Sequence, residues 1–209
     1  MAMAKELIYC ECWARDGLQS MPVWVPTEQK LEMIGRFIDA GFRKMEVTSF
    51  SHPKLLPQFK DAVDVMKGLP RTGRAARVSY VVLMPNEKGF DRFEECVKDG
   101  YGADEIILMI SSSEAHNLKN FRMSHDDAMA EHSRIMKRSH GIGVKIIGCA
   151  GTVYGCPIGG DVPFEDVEKI VRFYVDEGAL PVGVKAMAGL AADYLFAHAR
   201  GVSEDQPGG

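Results

Sequence analysis

One kind of joint recurs along this chain. An amphipathic stretch stops at glycine, and a β-branched run starts within a few residues. Asp39-Ala40-Gly41-Phe42 leads into Met45-Glu46-Val47, Asp99-Gly100-Tyr101-Gly102-Ala103 into Ile106-Ile107-Leu108, and Glu177-Gly178-Ala179 into Val182-Gly183-Val184. Glycine reaches left-handed φ at little steric cost, so it can end a helix and return the chain to a strand. Repeated units of this type imply parallel strands joined by right-handed crossovers. The candidates are a (β/α)₈ barrel and an open doubly wound sheet. No Gly-x-Gly-x-x-Gly follows the first strand, which weakens the dinucleotide-binding version of the open sheet.

Strands are expected over residues 7–12, 44–49, 78–83, 105–110 and 144–147, with a weaker one over 182–184. Thr27 is read as the cap of a helix to about residue 40, with Leu31, Ile34 and Ile38 on one face. A second helix is expected over 59–67. Asn86 caps a third, carrying Phe90, Phe93 and Val97. Ser124 with Asp127 reads as a capping box for a helix to about 140. Pro163 suits the first position of a last helix lined by Val167, Ile170, Val171 and Tyr174. A (β/α)₈ barrel typically takes about 250 residues. The expected fold is therefore α/β, of the (β/α)₈ TIM-barrel type and incomplete at about six βα units. One barrel domain covers residues 1–200, and 201–209 form a disordered tail.

The 209 residues carry 25 Lys and Arg against 29 Asp and Glu, a net charge of −4, which argues against a nucleic-acid surface. No apolar run approaches the roughly 18 residues of a membrane span, and the N-terminus lacks the layout of a signal peptide. Five cysteines spread along the chain argue against a disulfide framework. A cytoplasmic setting is expected.

In a βα barrel, chemistry lies where strands end. The first strand ends in Arg15-Asp16-Gly17-Leu18-Gln19, a compact polar turn. Asp16 can bind a hard divalent cation and Arg15 can stabilise an oxyanion; an ordinary Asp-Gly turn with a surface Arg is the other reading. On the second strand, alternation puts Glu46 and Thr48 on one face, and an inward Glu46 would need a partner such as Arg15. The polar run Ser49-Phe50-Ser51-His52-Pro53-Lys54 after it is read as functional. The segment from Ser111 to Asn117 suits either substrate hydrogen bonding or a capped loop. Thr152 ends the fifth strand. Cys156 in Gly-Cys-Pro is read as a buried structural thiol ahead of a nucleophile or ligand. Cys10 and Cys12 share a strand face without a partner pair, which argues against zinc. His125, His132 and His140 read as surface or packing residues.

Arg15-Asp16-Gly17-Leu18-Gln19, Val25-Pro26-Thr27, Glu46-Val47-Thr48-Ser49-Phe50, Pro53-Lys54 with Pro57-Gln58, Pro85-Asn86 with Lys88-Gly89, and Gly155-Cys156-Pro157 together resemble the hydroxymethylglutaryl-CoA lyase family, over roughly residues 5 to 178. The resemblance implies a (β/α)₈ barrel of the pyruvate-carboxyltransferase-like type and a lyase acting on an acyl-CoA thioester. It implies retro-Claisen cleavage assisted by Mg²⁺ or Mn²⁺, a place in leucine degradation, and a possible homo-oligomer. Asp16 becomes the metal ligand, and Arg15 and Glu46 the catalytic pair. Gln19, Ser49 and Thr152 become substrate-binding residues. The chain departs from the family at Trp13-Ala14, where Gly-Pro is usual, and at Lys185-Ala186-Met187, where Asp-Thr is usual. Neither the family's His-x-His pair nor its late Cys loop is present, and His198-x-Arg200 does not replace the former. The C-terminal part is therefore read as truncated or divergent, and near-background activity is expected. A related lyase such as a citramalyl-CoA lyase and a non-catalytic partial barrel are the alternatives.

Overall fold

A computed structural model describes residues 8–179 and the backbone of Val182–Lys185. Strands β1 (Cys10–Glu11), β2 (Lys44–Ser49), β3 (Ser79–Leu83), β4 (Glu105–Ser111), β5 (Lys145–Gly151) and β6 (Val182–Lys185) form one sheet. Their spatial order follows the chain, and every neighbouring pair is parallel. A barrel wall has this order, whereas an open doubly wound sheet reverses direction at a switch point. Helices α1 (Thr27–Asp39), α2 (Ala62–Gly68), α3 (Glu87–Lys98), α4 (Glu114–Phe121), α5 (His125–Gly141) and α6 (Phe164–Asp176) make the crossovers. The expected tail and the segment around Lys185-Ala186-Met187 lie largely outside the described residues.

The joints behave as their glycines demand. Gly41, Gly100 and Gly178 take φ of 98°, 86° and 86° at the ends of α1, α3 and α6. The Asn86 side chain accepts from the Gly89 N–H at 2.9 Å, capping α3, and Ser124 accepts from the Asp127 N–H at 3.1 Å, capping α5. Two caps differ from expectation by one position. Pro26 and Pro163 are the N-caps of α1 and α6. Thr27 does not cap, because its hydroxyl donates to Asp61 at 2.7 Å. Helix α4 falls where sequence reading left a loop; its buried residue is the polar Asn117, so no apolar stripe marks it.

The main core lies between sheet and helices. It joins Met45, Val47, Tyr80, Val82, Ile106, Leu108 and Ile146 to Ile34, Phe90, Phe93, Ile135 and Ile170. A smaller cluster of Val81, Leu83, Ile107 and Cys149, with Met109 and Ile147 against it, contains strand residues only and defines the barrel-lining face. Strand β2 decides which of its side chains join that lining. Its register against β3 slips by one residue between Glu46 and Thr48. Glu46 lies beside Val81 and Ser49 beside Leu83 on the lining face, while Thr48 lies beside Val82 on the helix face. The simple alternation that paired Glu46 with Thr48 is thus corrected, since one bulged residue turns every later side chain to the other face.

Candidate active site at the strand ends

Strand β1 is two residues long because the chain winds up directly after it. The Cys12 carbonyl accepts from the N–H groups of Arg15, Asp16 and Gly17 at 3.2, 2.8 and 3.2 Å, closing a five-residue turn over Trp13–Gly17. Trp13 leans on the Phe37 ring of α1 and Ala14 is in the core. These two departures from the family pattern therefore anchor the turn from behind. Arg15 and Asp16 are presented on its other side.

Arg15 is 3% exposed and Glu46 5% exposed. A buried guanidinium and a buried carboxylate each cost several kcal/mol unless they meet. They do: Arg15 Nε donates to Glu46 Oε2 at 2.5 Å, and Arg15 Nη2 forms an ion pair with the same oxygen. Arg15 Nη1 donates to Asp16 Oδ1 at 2.7 Å and to Gln19 Oε1 at 3.4 Å. Nη2 has no partner in hydrogen-bond geometry, although it is buried. The Glu46 Oε1 oxygen accepts from the Cys12 thiol at 3.4 Å. Asp16 is half-buried and Gln19 exposed, so this network opens to solvent on their side. The Cys12 thiol is held protonated by Cys10, by burial and by the Glu46 charge, while the Cys12 hydrogen bond draws the Cys10 pKa down.

A second polar network sits at the ends of β4 and β5, on the same rim. The Ser111 and Thr152 hydroxyls are 2.7 Å apart, and the Ser113 N–H donates to Thr152 Oγ1 at 3.1 Å. Asn117 Oδ1 accepts from the Ser111 N–H at 3.1 Å, and a His125 ring nitrogen lies 2.8 Å from the Ser111 carbonyl. Thr152 holds φ at 53°, an unusual value for a β-branched residue. Such strain is typical of functional rims. Cys156 accepts from the N–H groups of Ile158 and Gly159 at 3.3 and 3.2 Å. Burial opposes ionisation of this thiol, but hydrogen bonds from Ser113, Gly159 and Ile158 outweigh it and lower its pKa.

The structure brings Arg15, Asp16, Gln19 and Glu46 together and places Thr152 in the second network. Ser49 is buried on the lining face with its hydroxyl 2.7 Å from that of Ser51. His52 is exposed and accepts from the Lys54 N–H at 3.2 Å, shaping its own loop. Sequence reading missed the Cys12 contact to Glu46, which depends on the β1–β2 register. Asn117, read with its segment as a substrate contact or part of a capped loop, and His125, read as a surface or packing residue, both bond to the Ser111 backbone. A cavity of about 440 Å³, lined by Phe42, Arg43, Arg74 and Arg77, lies at the opposite, N-terminal end of the strands and touches none of these groups.

Asp16 is a suitable hard-oxygen ligand. Among the described residues, though, no group of three His, Cys, Asp or Glu side chains includes it. A Mg²⁺-type ion takes about six oxygen ligands. The described residues alone do not make that site.

An HMGL-like family model matches residues 6–194. A hydroxymethylglutaryl-CoA lyase of Bacillus subtilis is 34% identical over 184 residues, covering 86% of this chain and 59% of the relative. The structure of an HMG-CoA lyase from Brucella melitensis superposes with a TM-score of 0.79 at 32% identity, covering 87% of this chain and 61% of that one. An Acinetobacter baumannii HMG-CoA lyase, solved with coenzyme A and 3-methylmalate, gives a TM-score of 0.77 at 30% identity over 95% of this chain and 63% of its own. The chain spans about three fifths of the length of these relatives. The sequential parallel sheet, the Arg15-Asp16 turn locked onto Glu46, and a family match over nearly the whole sequence lead to one assignment: this chain belongs to the HMGL-like family.

Proposed function

We propose that the protein is a carbon–carbon lyase of the hydroxymethylglutaryl-CoA lyase type, cleaving a 3-hydroxyacyl-CoA to acetyl-CoA and a keto acid such as acetoacetate. The observation that carries this reading is Arg15: a guanidinium buried at the strand ends and fixed in place by the carboxylates of Glu46 and Asp16. In the retro-Claisen step a base takes the proton of the tertiary hydroxyl. The C–C bond then breaks, and its electron pair moves into the thioester as an enolate. An N–H donor already in place where that charge develops needs no reorganisation during the reaction. Arg15 fills this role, and Glu46 orients Arg15. Gln19, Ser49 and Thr152 line the path of the substrate. A divalent ion, Mg²⁺ or Mn²⁺, would polarise the substrate's hydroxyl and carboxylate oxygens when bound, and Asp16 supplies one of its ligands. The coenzyme A held by the Acinetobacter relative supports an acyl-CoA substrate. A human relative described as cytoplasmic supports that setting here.

The test is titration of hydroxymethylglutaryl-CoA and citramalyl-CoA into the purified chain with Mn²⁺, with acetoacetate followed for the first thioester and pyruvate for the second. Thioester binding that depends on Arg15 is expected, with turnover far below the usual 1 to 10³ per second. Turnover is expected to be slow because the described residues supply the oxyanion donor and a single metal ligand. A chain that binds no thioester contradicts the proposal.

A further inference from the structure

The thiols of Cys10 and Cys12 and a carboxylate oxygen of Glu46 all lie within 4.8 Å of one another. Two adjacent parallel strands produce this cluster, with Cys10 beside Lys44 and Glu11 beside Met45 in the register. From sequence the two cysteines had no partner; the fold supplies one 34 positions away. We propose that Cys10, Cys12 and Glu46 form a site for a soft divalent cation of the zinc class, distinct from the hard-cation ligand Asp16. This inference does not depend on the lyase reading.

Geometry and charge both support it. Zinc bonds of about 2.3 Å to sulfur and about 2.0 Å to oxygen place tetrahedral ligand atoms roughly 3.5–3.8 Å apart. The Cys12 Sγ to Glu46 Oε1 separation is already 3.4 Å, and the other edges, at most 4.8 Å, need to close by up to about 1.3 Å to reach that tetrahedral spacing. Glu46 is oriented for the task, because Arg15 holds Oε2 while Oε1 meets the Cys12 thiol. A hydrogen bond to the far oxygen of a carboxylate fixes which way its other oxygen points, as partners of metal-ligating carboxylates do. Two thiolates and one carboxylate facing a single guanidinium would leave a strong negative excess in a half-buried place. One divalent ion cancels it, as the thiols release their protons to solvent. Cys10 is exposed, which leaves an entry path and an open fourth position for water. Thiolate donors select zinc, cadmium or cobalt over magnesium.

The experiment is titration of the full chain with Co²⁺ under reducing conditions, reading the thiolate-to-cobalt charge-transfer absorption. One equivalent of cobalt should produce the band, and Zn²⁺, the tighter binder, should bleach it. Cys10→Ser and Cys12→Ser should each abolish the band and Glu46→Gln should weaken it. Asp16→Asn and Cys149→Ser should leave it in place. X-ray absorption on the zinc-loaded wild-type chain gives a readout free of any folding defect, with two sulfur ligands expected. A ligand shell of oxygen and nitrogen alone, or a band that survives both cysteine substitutions, overturns the proposal.

Discussion

Replacing Arg15 by Met removes the charge and every donor while keeping much of the apolar stem. Glu46 then stays 5% exposed and loses the guanidinium that its Oε2 oxygen meets. With charge centres about 4 Å apart and an effective dielectric near 20, the lost attraction is about 4 kcal/mol. That agrees with the roughly 3–5 kcal/mol seen when one partner of a buried pair is removed. The contact to Asp16, whose side chain is 35% exposed, adds less than about 1 kcal/mol. Urea unfolding followed by circular dichroism should show the midpoint falling by roughly 1.5–2.5 M, taking a slope near 2 kcal/mol per M. Glu46→Leu alone should cost a similar amount. The double variant Arg15→Met/Glu46→Leu should recover to within about 1–2 kcal/mol of wild type, because no buried charge is left behind. Single variants that each cost less than about 1 kcal/mol, or a double variant whose losses simply add, would refute the reasoning.

Thr48 is buried on the helix side of β2 and its hydroxyl has no partner; Thr48→Val should therefore stabilise the protein by about 1 kcal/mol in the same urea assay. His132 is buried with Nδ1 2.9 Å from the Tyr174 hydroxyl, and burial pushes its pKa down to about 3. The unfolded chain takes up a proton on this imidazole near pH 6.5 while the folded chain refuses it, so stability falls as pH drops from about 6.5 towards 3, by up to about 1.4 kcal/mol per unit. His132→Gln should lose about 1.6 kcal/mol less than wild type between pH 6.5 and 5, and an unchanged pH dependence would place the titrating group elsewhere.

The fold was legible where local chemistry leaves little choice. Gly41, Gly100 and Gly178 mark helix ends because their φ values exclude most other residues. Lys44–Ser49 reads as a strand from its β-branched run and its bounds need no correction. The pairing of Glu46 with Arg15 follows from the cost of burying either alone. What stayed hidden depends on register and on polar burial. The bulge in β2 carries no mark in the residues themselves, yet it exchanges Thr48 for Ser49 on the lining face. Helix α4 buries Asn117, so periodicity of apolar residues cannot find it. The buried pair of Lys30 and Asp61, 2.7 Å apart, joins α1 to the loop after β2 and looks like two ordinary surface charges in sequence.

The central claim is that Arg15 is the donor that meets the thioester oxygen. Arg15→Lys tests it most directly, because the substitution keeps the charge beside Glu46 but removes the forked donor. In a calorimetric titration with hydroxymethylglutaryl-CoA, with folding verified by circular dichroism, a charged hydrogen bond worth about 1.5–3 kcal/mol predicts roughly ten- to hundredfold weaker binding than wild type. Affinity equal to wild type in the folded variant would contradict the account and move the thioester away from the β1–β2 rim.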